Sequence, residues 1–240
     1  MSYRNRIYSN YAKWKFEQVG AQSAAKKFVS HLVPSLIFPE LRYFRGLQPQ
    51  SEILELGCGA GEFLTELCLV GFKKCTGVDF LPARTTTPFQ FVQSDIFQYL
   101  RQSDKSFEVI CLFDVLEHFS KDEVFEILDL VFARLNPGGI ILVRVPNQSS
   151  STGRFNQFAD FSHECIFNET SLAQVLKSAN YAHVSVRGVE VWIKILLDPR
   201  RWIGGILSIP YWIVNRMFSL AWGGPRITTS NILARAQRTK

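Results

Sequence analysis

The sequence predicts an α/β fold with a doubly wound, mainly parallel sheet of seven strands. Short apolar runs alternate with helical patterns along most of the 240 residues, which is the arrangement of βαβ units. Residues 107–113 are almost continuously apolar, as in strands that are buried on both faces of a sheet. A glycine-rich turn at residues 57–61 directly follows the first strand-like run, where such sheets bind ligands.

The predicted strands are short apolar runs that are bounded by glycine, proline and polar residues. In chain order they lie at residues 53–56, 75–80, 89–94, 107–113, 140–145, 183–187 and 231–237.

Helical spacing of apolar residues predicts helices between these strands. Residues 10–33 show this spacing and end before a proline, which predicts an N-terminal helix that precedes the core. A capping box of Ser120 and Glu123 begins an amphipathic helix. This helix should end at the Asn-Pro-Gly-Gly sequence of residues 136–139, and residues 168–180 predict a further helix.

The glycine turn and the acidic residues around it indicate the kind of ligand. Asp79 ends the second predicted strand, 22 residues after Gly57, and its carboxylate can accept both hydroxyls of a ribose. A nicotinamide dinucleotide site would need a third glycine at position 62, where Glu62 stands. Glu55, just before the turn, suits a cationic ligand better than a pyrophosphate. The pattern therefore favours a cationic ligand that carries a ribose.

Five segments, in order and in spacing, resemble the motifs of class I S-adenosylmethionine-dependent methyltransferases. They are ELGCGAG at residues 55–61, GVDF at 77–80, SDI at 94–96, FDVLEH at 113–118 and LNPGG at 135–139. The resemblance implies a Rossmann-like sheet, S-adenosyl-L-methionine as cofactor and S-adenosyl-L-homocysteine as product. Only fifteen residues, two of them prolines, separate Asp79 from Asp95. The helix that usually joins the second and third strands should therefore be short or absent.

The same resemblance implies which residues bind the cofactor. Asp79 should hold the ribose, Asp95 the adenine amine, and the glycines the methionine and ribose region. Phe80 should pack on the adenine or, alternatively, in the core, and Cys58 should be an apolar filler rather than a reactive thiol. The full predicted set is Glu55, Gly57, Cys58, Gly59, Gly61, Asp79, Phe80, Ser94, Asp95, Ile96, Phe113 and Asp114.

Histidines are the expected catalytic groups, because a hydroxyl acceptor gains from a general base with a pKa near neutrality. His118 follows Glu117 at the end of the fourth predicted strand, and His163 follows the fifth, both on the cofactor side. We expect all three residues to contribute to catalysis or substrate binding. Alternatively, Glu117 and His118 order the start of the following helix. His31 and His183 have no motif around them and are interpreted as structural.

Asp114, Glu117, His118 and His163 also resemble the ligand set of metal-dependent O-methyltransferases that act on small-RNA ends. Ubiquinone-pathway O-methyltransferases carry a similar local pattern. Such a set can hold Mg²⁺ or Zn²⁺, which lowers the pKa of an acceptor hydroxyl. However, Asp114 stands where those families favour Glu, and the Glu-His pair is common in methyltransferases without a metal. The prediction is therefore a site without a metal.

Residues 145–172 resemble a bacterial group of methyltransferases associated with the assembly of surface polysaccharides and glycolipids. This resemblance implies an acceptor hydroxyl on a saccharide, a phosphorylated sugar or a lipid-linked glycan precursor. The alternatives are RNA or quinone-type O-methylation, with nucleic acid less favoured because no RNA-binding module is visible. A cofactor-binding scaffold without turnover is the alternative that is not an enzyme.

An apolar insertion is expected between the last two strands, which form a hairpin with an antiparallel seventh strand in the resembled family. Residues 191–222 hold four of the five tryptophans, and their longest uncharged run, residues 202–215, is too short to span a bilayer. Flanking arginines and the net charge of +6 suit an anionic surface. We expect peripheral membrane contact or a cap over a lipid-linked acceptor. A buried lid and a dimer contact are the alternatives.

These elements predict one methyltransferase domain over residues 1–240. It comprises a helical extension at residues 1–48, a cofactor-binding core at 49–189, the apolar insertion at 190–226, and a final strand and tail at 227–240. Five scattered cysteines without a CxxC pair are typical of buried thiols in a reducing compartment. The first residues lack the apolar stretch of a secretory signal. We therefore expect the protein in the cytoplasm or at the inner face of a membrane.

Overall fold

The structure, a computed structural model, describes residues 39–83, 86–189 and 225–239, with single positions at 7 and between 210 and 223. The chain divides into two compact units, Met1–Gly46 and Leu47–Lys240. Apart from Ile7, the described part of the first unit is a 3-10 helix, Pro39–Phe44, and the turn that follows it. The predicted helix at residues 10–33 and most of the predicted insertion lie outside the described residues.

A seven-stranded sheet is the framework of the second unit. Its strands are β1 Glu52–Leu56, β2 Lys74–Asp79, β3 Gln90–Gln93, β4 Phe107–Phe113, β5 Leu135–Pro146, β6 Tyr181–Val189 and β7 Asn231–Arg238. Their spatial order is β3-β2-β1-β4-β5-β7-β6. Neighbours from β3 to β5 pair in parallel, and β7 is antiparallel to both β5 and β6. The predicted fold class is confirmed.

The start of β5 is the strand boundary that differs most from its prediction. The Asn-Pro-Gly-Gly sequence at residues 136–139 lies inside the strand rather than before it. Phe107 of β4 pairs with Leu135, whereas Val109 already pairs with Ile140. Residues 136–139 therefore form a bulge in β5, a feature that depends on the partner strand and leaves no periodic signal of its own.

Five α-helices accompany these strands up to β6. They are α1 Glu62–Leu69, α2 Ile96–Gln102, α3 Lys121–Arg134, α4 Ser151–Ala159 and α5 Glu169–Ser178. The capping box of α3 is confirmed, since Ser120 and Glu123 each accept the other's backbone N–H. The described residues between β2 and β3 contain no helix, in agreement with the short spacing. The predictions missed α2 and α4, which begin at the N-caps Asp95 and Ser150.

The hydrophobic core covers both faces of the central strands β1 and β4. Leu54 and Ile110 on one face, and Ile53 and Cys111 on the other, have no exposed surface. Burying an aliphatic side chain of this size stabilises the fold by about 1.5–3 kcal/mol. Four of the five cysteines are buried and all are free thiols, as expected: Cys58, Cys75, Cys111 and Cys165, with Cys68 half-buried.

The carboxyl ends of β1, β2, β4 and β5 lie at one edge of this sheet. β1 pairs with β2 on one side and with β4 on the other, so the strand order reverses between β1 and β4. Doubly wound sheets bind ligands outside the carboxyl ends of the strands at such a reversal. Asp79 is the last residue of β2 at this edge, and the glycine turn and a 3-10 helix, Leu116–His118, follow β1 and β4 there.

Candidate active site

The glycine turn after β1 requires glycine for two physical reasons. Gly57 has a φ of +69°, and its N–H donates to the carbonyl of Val78 at 2.8 Å. A Cβ at this position would lie 2.6 Å from Cγ2 of Val115. Gly59 has a φ of +55° and open space where its Cβ would be. The turn therefore presents bare backbone at the strand ends, and it contacts the segment that follows β4.

Asp79 connects this turn to β2 through both oxygens of its carboxylate. Oδ2 accepts the N–H of Gly59 at 2.7 Å, and Oδ1 accepts the N–H of Leu81 at 2.8 Å. A carboxylate has about four acceptor positions. Asp79 can therefore hold the turn and still accept the two hydroxyls of a ribose, which is the role predicted for it.

Asp95 and Ser94 follow β3 and have structural contacts that the sequence did not reveal. The N–H of Ser94 donates to the carbonyl of Asp79 at 3.0 Å. Oδ1 of Asp95 accepts the N–H of Gln98 at 3.0 Å and so caps α2, whose first residue is Ile96. Asp95 is nevertheless exposed, so its carboxylate remains open to a ligand. Its contact with adenine stays a prediction.

The remaining predicted cofactor residues differ in exposure. Glu55 is buried near the end of β1, and Cys58 is buried in the turn. Burial, reinforced by the charges of Glu55 and Asp79, raises the pKa of the Cys58 thiol far above its ordinary value. A thiol that stays protonated suits the predicted filler role. Phe80 is 61% exposed, so its alternative interpretation as a core residue is wrong.

Arg144 on β5 is a site residue that the sequence analysis missed. Its guanidinium donates from Nη2 to Asp114 Oδ2 at 2.7 Å and from Nε to Oδ1 at 3.2 Å, and it lies 5.0 Å from the ring centroid of Phe113. Asp114 follows β4 with a φ of +57°. Among the described residues, the group of potential metal ligands that lie within 4.8 Å of one another contains Glu117, His118 and His163 but not Asp114. Asp114 pairs with Arg144 instead. The sequence did contain a signal for this residue, because Arg144 is a charged residue within the otherwise apolar run of β5.

Glu117, His118 and His163 form one cluster, as their positions after β4 and β5 suggested. One potential metal-ligand atom of each residue, a carboxylate oxygen or an imidazole nitrogen, lies within 4.8 Å of the others. The two imidazole centroids are 4.6 Å apart, and the planes meet at 62°. The carboxylate of Glu117 is buried, while both imidazoles are half-buried.

The loop between α4 and α5 is attached to this cluster by backbone hydrogen bonds. The carbonyl of Glu117 accepts the N–H of Glu164 at 2.7 Å and that of Cys165 at 3.0 Å. Nδ1 of His163 lies 2.9 Å from the carbonyl of Gln157. Because a carbonyl only accepts, Nδ1 of His163 carries the proton.

The alternative role of Glu117 and His118, ordering the start of α3, stays a prediction. Ser120 and Glu123 cap the start of α3, while Glu117 and His118 contact the loop after α4. His183, the other described histidine, is exposed near the amino end of β6, at the opposite end of that strand from the site.

A short hydrogen-bonded chain leads from His118 to Asp160. Nδ1 of His118 lies 2.8 Å from Oγ of Ser162, which donates to Oδ1 of Asp160 at 2.6 Å. Burial alone would raise the pKa of Asp160. The two hydrogen bonds from Ser162 and the nearby imidazoles outweigh that effect and lower the pKa below its ordinary value.

The chemistry of the cluster is also compatible with a divalent cation. A carboxylate and two imidazoles are ligands that Zn²⁺ and similar metals accept. Each Nδ1 is engaged by an outer hydrogen-bond partner, which is common for histidines that bind metals through the other ring nitrogen. The three residues therefore fit either a metal or a proton-accepting role.

This strand order, with a glycine turn after β1 and an acidic residue at the end of β2, defines the Rossmann-like class of S-adenosylmethionine-dependent methyltransferases. A family model described as a methyltransferase domain matches residues 28–186. The chain belongs to this class I methyltransferase family.

Individual relatives are more distant. A ubiquinone biosynthesis O-methyltransferase of Rickettsia bellii is 30% identical over 106 residues, which cover 41% of this chain and 43% of the relative. The match thus spans about two fifths of the length of that relative.

Among solved structures, a SAM-dependent methyltransferase from Archaeoglobus fulgidus has a TM-score of 0.61 at 20% identity, covering 86% of this chain and 93% of that one. A Burkholderia thailandensis 1,6-didemethyltoxoflavin-N1-methyltransferase, bound to S-adenosylhomocysteine, has a TM-score of 0.59 at 16% identity, covering 99% and 87%. At these identities the similarity concerns the fold.

Proposed function

We propose that the protein binds S-adenosyl-L-methionine and transfers its methyl group to a hydroxyl oxygen of an acceptor. The observation that carries this proposal is the pair of imidazoles, 4.6 Å apart, that follow the strands beside the glycine turn. Val115, three residues before His118, packs against Gly57 of that turn. A proton acceptor and a cofactor site thus share one edge of the sheet.

The cofactor would be held by groups that approach its ribose, adenine and methionine parts separately. Asp79 accepts the ribose hydroxyls, Asp95 accepts the adenine amine, and the exposed ring of Phe80 packs on the base. The backbone of the glycine turn faces the methionine part. These contacts fix the methyl carbon, so that alignment supplies much of the rate.

The transfer itself is a substitution at the methyl carbon. The acceptor oxygen forms a bond to this carbon as the carbon–sulfur bond breaks, and the bonding electron pair stays on sulfur in the neutral product S-adenosyl-L-homocysteine. Nε2 of His118 takes the hydroxyl proton, and His163 and Glu117 lie beside it to bind the acceptor or the proton. General base catalysis of this kind contributes about 10²- to 10⁴-fold.

For the acceptor, we propose a hydroxyl on a saccharide, a phosphorylated sugar or a lipid-linked glycan precursor. Phe155, Phe158 and Phe161, on α4 and in the loop that leads to His163, are 74%, 77% and 86% exposed. An exposed apolar surface of this kind often marks a binding site. Gln157, which lies between Phe155 and Phe158 in the chain, contacts His163 through its carbonyl, so these side chains belong to the segment that carries this histidine and suit an acceptor with an apolar part.

A peripheral contact with the inner face of a membrane would bring such an acceptor to the site. Ile213, Val214, Met217 and Leu220 are exposed positions of the insertion in helical conformation, and they stand at intervals of three and four residues along the sequence. Apolar residues on one face with flanking arginines are typical of interfacial helices. Among the described residues, each helix is too short or too polar for a bilayer crossing.

A second candidate is O-methylation of a quinone-type phenol, possible with or without a metal. It is favoured by the name of the curated relatives, ubiquinone biosynthesis O-methyltransferases, and by the fit of Glu117, His118 and His163 to a divalent cation. These three residues would hold the metal, which would lower the pKa of the acceptor hydroxyl. RNA is retained as a less favoured acceptor.

The test is methyl transfer from labelled S-adenosyl-L-methionine to a panel of acceptors. The panel contains polyprenyl-linked oligosaccharides, nucleotide sugars, a prenylated catechol and total RNA, and mass spectrometry locates a gain of one CH₂. We expect the saccharide acceptors to be labelled. Label only in the catechol would establish the second candidate, label only in RNA would overturn both, and cofactor binding without any label would indicate a scaffold.

The matched control for the base is a second histidine. His118→Gln should lower the rate at least about 100-fold, in the range that a general base contributes. His183→Gln makes the same change at an exposed residue of β6 and should leave the rate unchanged. Equal rates in the two variants would contradict the proposed base.

A further inference from the structure

We infer that Asp160 is a positioning residue that acts through Ser162 to hold His118 in the tautomer with its proton on Nδ1. In this tautomer the lone pair is on Nε2, where a base needs it. The inference rests on the proposed function in one respect only: the proposed function explains why this tautomer is useful. The geometry of the three residues supports it independently.

The direction of the hydrogen bonds follows from Asp160. Its Oδ1 accepts two hydrogen bonds from Ser162, one from the backbone N–H at 3.0 Å and one from the hydroxyl at 2.6 Å. The single hydroxyl proton of Ser162 is therefore committed to the carboxylate. Oγ can then only accept from Nδ1 of His118, at 2.8 Å, so this nitrogen carries the proton.

Ser162 can transmit the effect of Asp160 to the tautomer of His118, because Ser162 is only 2% exposed. Water cannot readily replace either of its partners. Its backbone is held by the N–H bond to Asp160, and the next residues are held by the carbonyl of Glu117. The hydroxyl therefore has a fixed position with a fixed direction for its proton.

The charged and titratable groups around His118 come from three segments. Asp160 acts through Ser162 from the loop after α4, the imidazole of His163 lies at 4.6 Å, and the buried carboxylate of Glu117 precedes His118 in the chain. The carbonyl of Gln157 holds the proton of His163 on Nδ1. Both imidazoles are thus held with Nε2 unprotonated in their neutral form, and Asp160 supplies a negative charge that favours the protonated form of His118 after proton transfer.

The test uses ¹⁵N NMR of the full chain labelled at histidine, recorded with a chelator so that no bound metal sets the tautomer. We expect His118 to show the Nδ1–H form when it is neutral. Ser162→Ala removes the acceptor, and Asp160→Ala frees the serine proton to point at Nδ1. Both variants should therefore shift His118 toward the Nε2–H form. An Nε2–H form in the wild type, or no change in either variant, would overturn the inference.

Asp160→Asn separates hydrogen bonding from charge. The amide oxygen can accept both bonds from Ser162, so we expect the Nδ1–H form to persist. The lost charge should move the acid limb of the pH–rate profile down by about one pH unit. Glu164→Gln, an exposed residue in the same loop, is the matched charge control and should shift neither readout. A shift of equal size in both variants would contradict the assigned role of Asp160.

Activity then distinguishes this inference from the proposed function. We expect Ser162→Ala and Asp160→Ala to lower kcat about 10- to 100-fold, a part of what a general base contributes, with little change in KM. If the tautomer responds as expected but His118→Gln retains full activity, the positioning stands and the proposed base fails. If His118→Gln is inactive but the tautomer does not respond, the base stands and the inference about Asp160 fails.

Discussion

Gly57→Ala tests the contact that joins the cofactor turn to the segment carrying His118. Gly57 has a φ of +69°, and the new Cβ would lie 2.6 Å from Cγ2 of Val115. That separation is about 0.8 Å short of an ordinary van der Waals contact. The variant must therefore adopt a strained backbone conformation and also displace Val115, which lies in the segment between β4 and His118.

The expected cost has two parts. The left-handed conformation costs an alanine about 1–2 kcal/mol, and overpacking a buried contact costs about 1–3 kcal/mol. Gly57→Ala should thus lower the free energy of unfolding by about 2–5 kcal/mol. Gly59→Ala is the matched control, because its φ is +55° but its Cβ meets nothing within 4 Å. It should cost only the conformational part, about 1–2 kcal/mol.

Urea denaturation of both variants, and of each combined with Val115→Ala, separates the two parts. Removing Cγ2 of Val115 makes room for the new methyl group. The Gly57→Ala/Val115→Ala double variant should therefore be at least about 1 kcal/mol more stable than the sum of the single effects. Additivity in this pair, or equal costs for Gly57→Ala and Gly59→Ala, would refute the close approach of the turn to Val115.

Three further predictions concern the ion pair, the acid response and the insertion. Arg144→Met should lower the free energy of unfolding by about 1 kcal/mol, a small value because Arg144 and Asp114 are both partly exposed. The loss should be smaller when Arg144→Met is made in the Asp114→Asn variant. Equal losses in the two backgrounds would show that the pair is not coupled. The pKa of Asp160 is lowered in the folded state, so its contribution to stability is present above about pH 3.9, the ordinary value, and is lost as the pH falls through the lower folded value. Acid denaturation curves should therefore be shallower for Asp160→Asn. Identical curves for the variant and the wild type would count against the assignment. Replacing Val214, Met217 and Leu220 together by Gln should weaken co-sedimentation with anionic vesicles roughly tenfold. Leu69→Gln, at the exposed end of α1, is the control and should leave co-sedimentation unchanged. Equal co-sedimentation of the triple variant and the wild type would end the membrane proposal.

The strands and the start of α3 could be predicted from sequence because their signals are local. The apolar run of β4 and the capping box of Ser120 and Glu123 each depend on residues within a few positions of one another. By contrast, α2 buries only Leu100 fully and is seven residues long, so it has almost no periodic pattern. Helix α4 has few apolar residues, and it begins at Ser150 in a run of serines that also favours turns.

The contacts of the site were harder to predict because they join distant segments. Asp114 was assigned to the cofactor site by its motif, but its pairing with Arg144 depends on the register of β4 and β5. His118 and His163 were recognised from their residue type and their position after strands. The bond from His118 to Ser162 spans 44 positions and depends on how the loop after α4 folds back over the strand ends. No local pattern in the sequence encodes such a contact.

Calorimetric titration with S-adenosyl-L-homocysteine tests the central claim most directly. The account predicts that the purified full chain binds this product, that NAD does not bind, and that Asp79→Asn weakens product binding at least about tenfold through the loss of charge-assisted ribose contacts. Binding of NAD with no response to S-adenosyl-L-homocysteine would contradict the assignment of the glycine turn and Asp79.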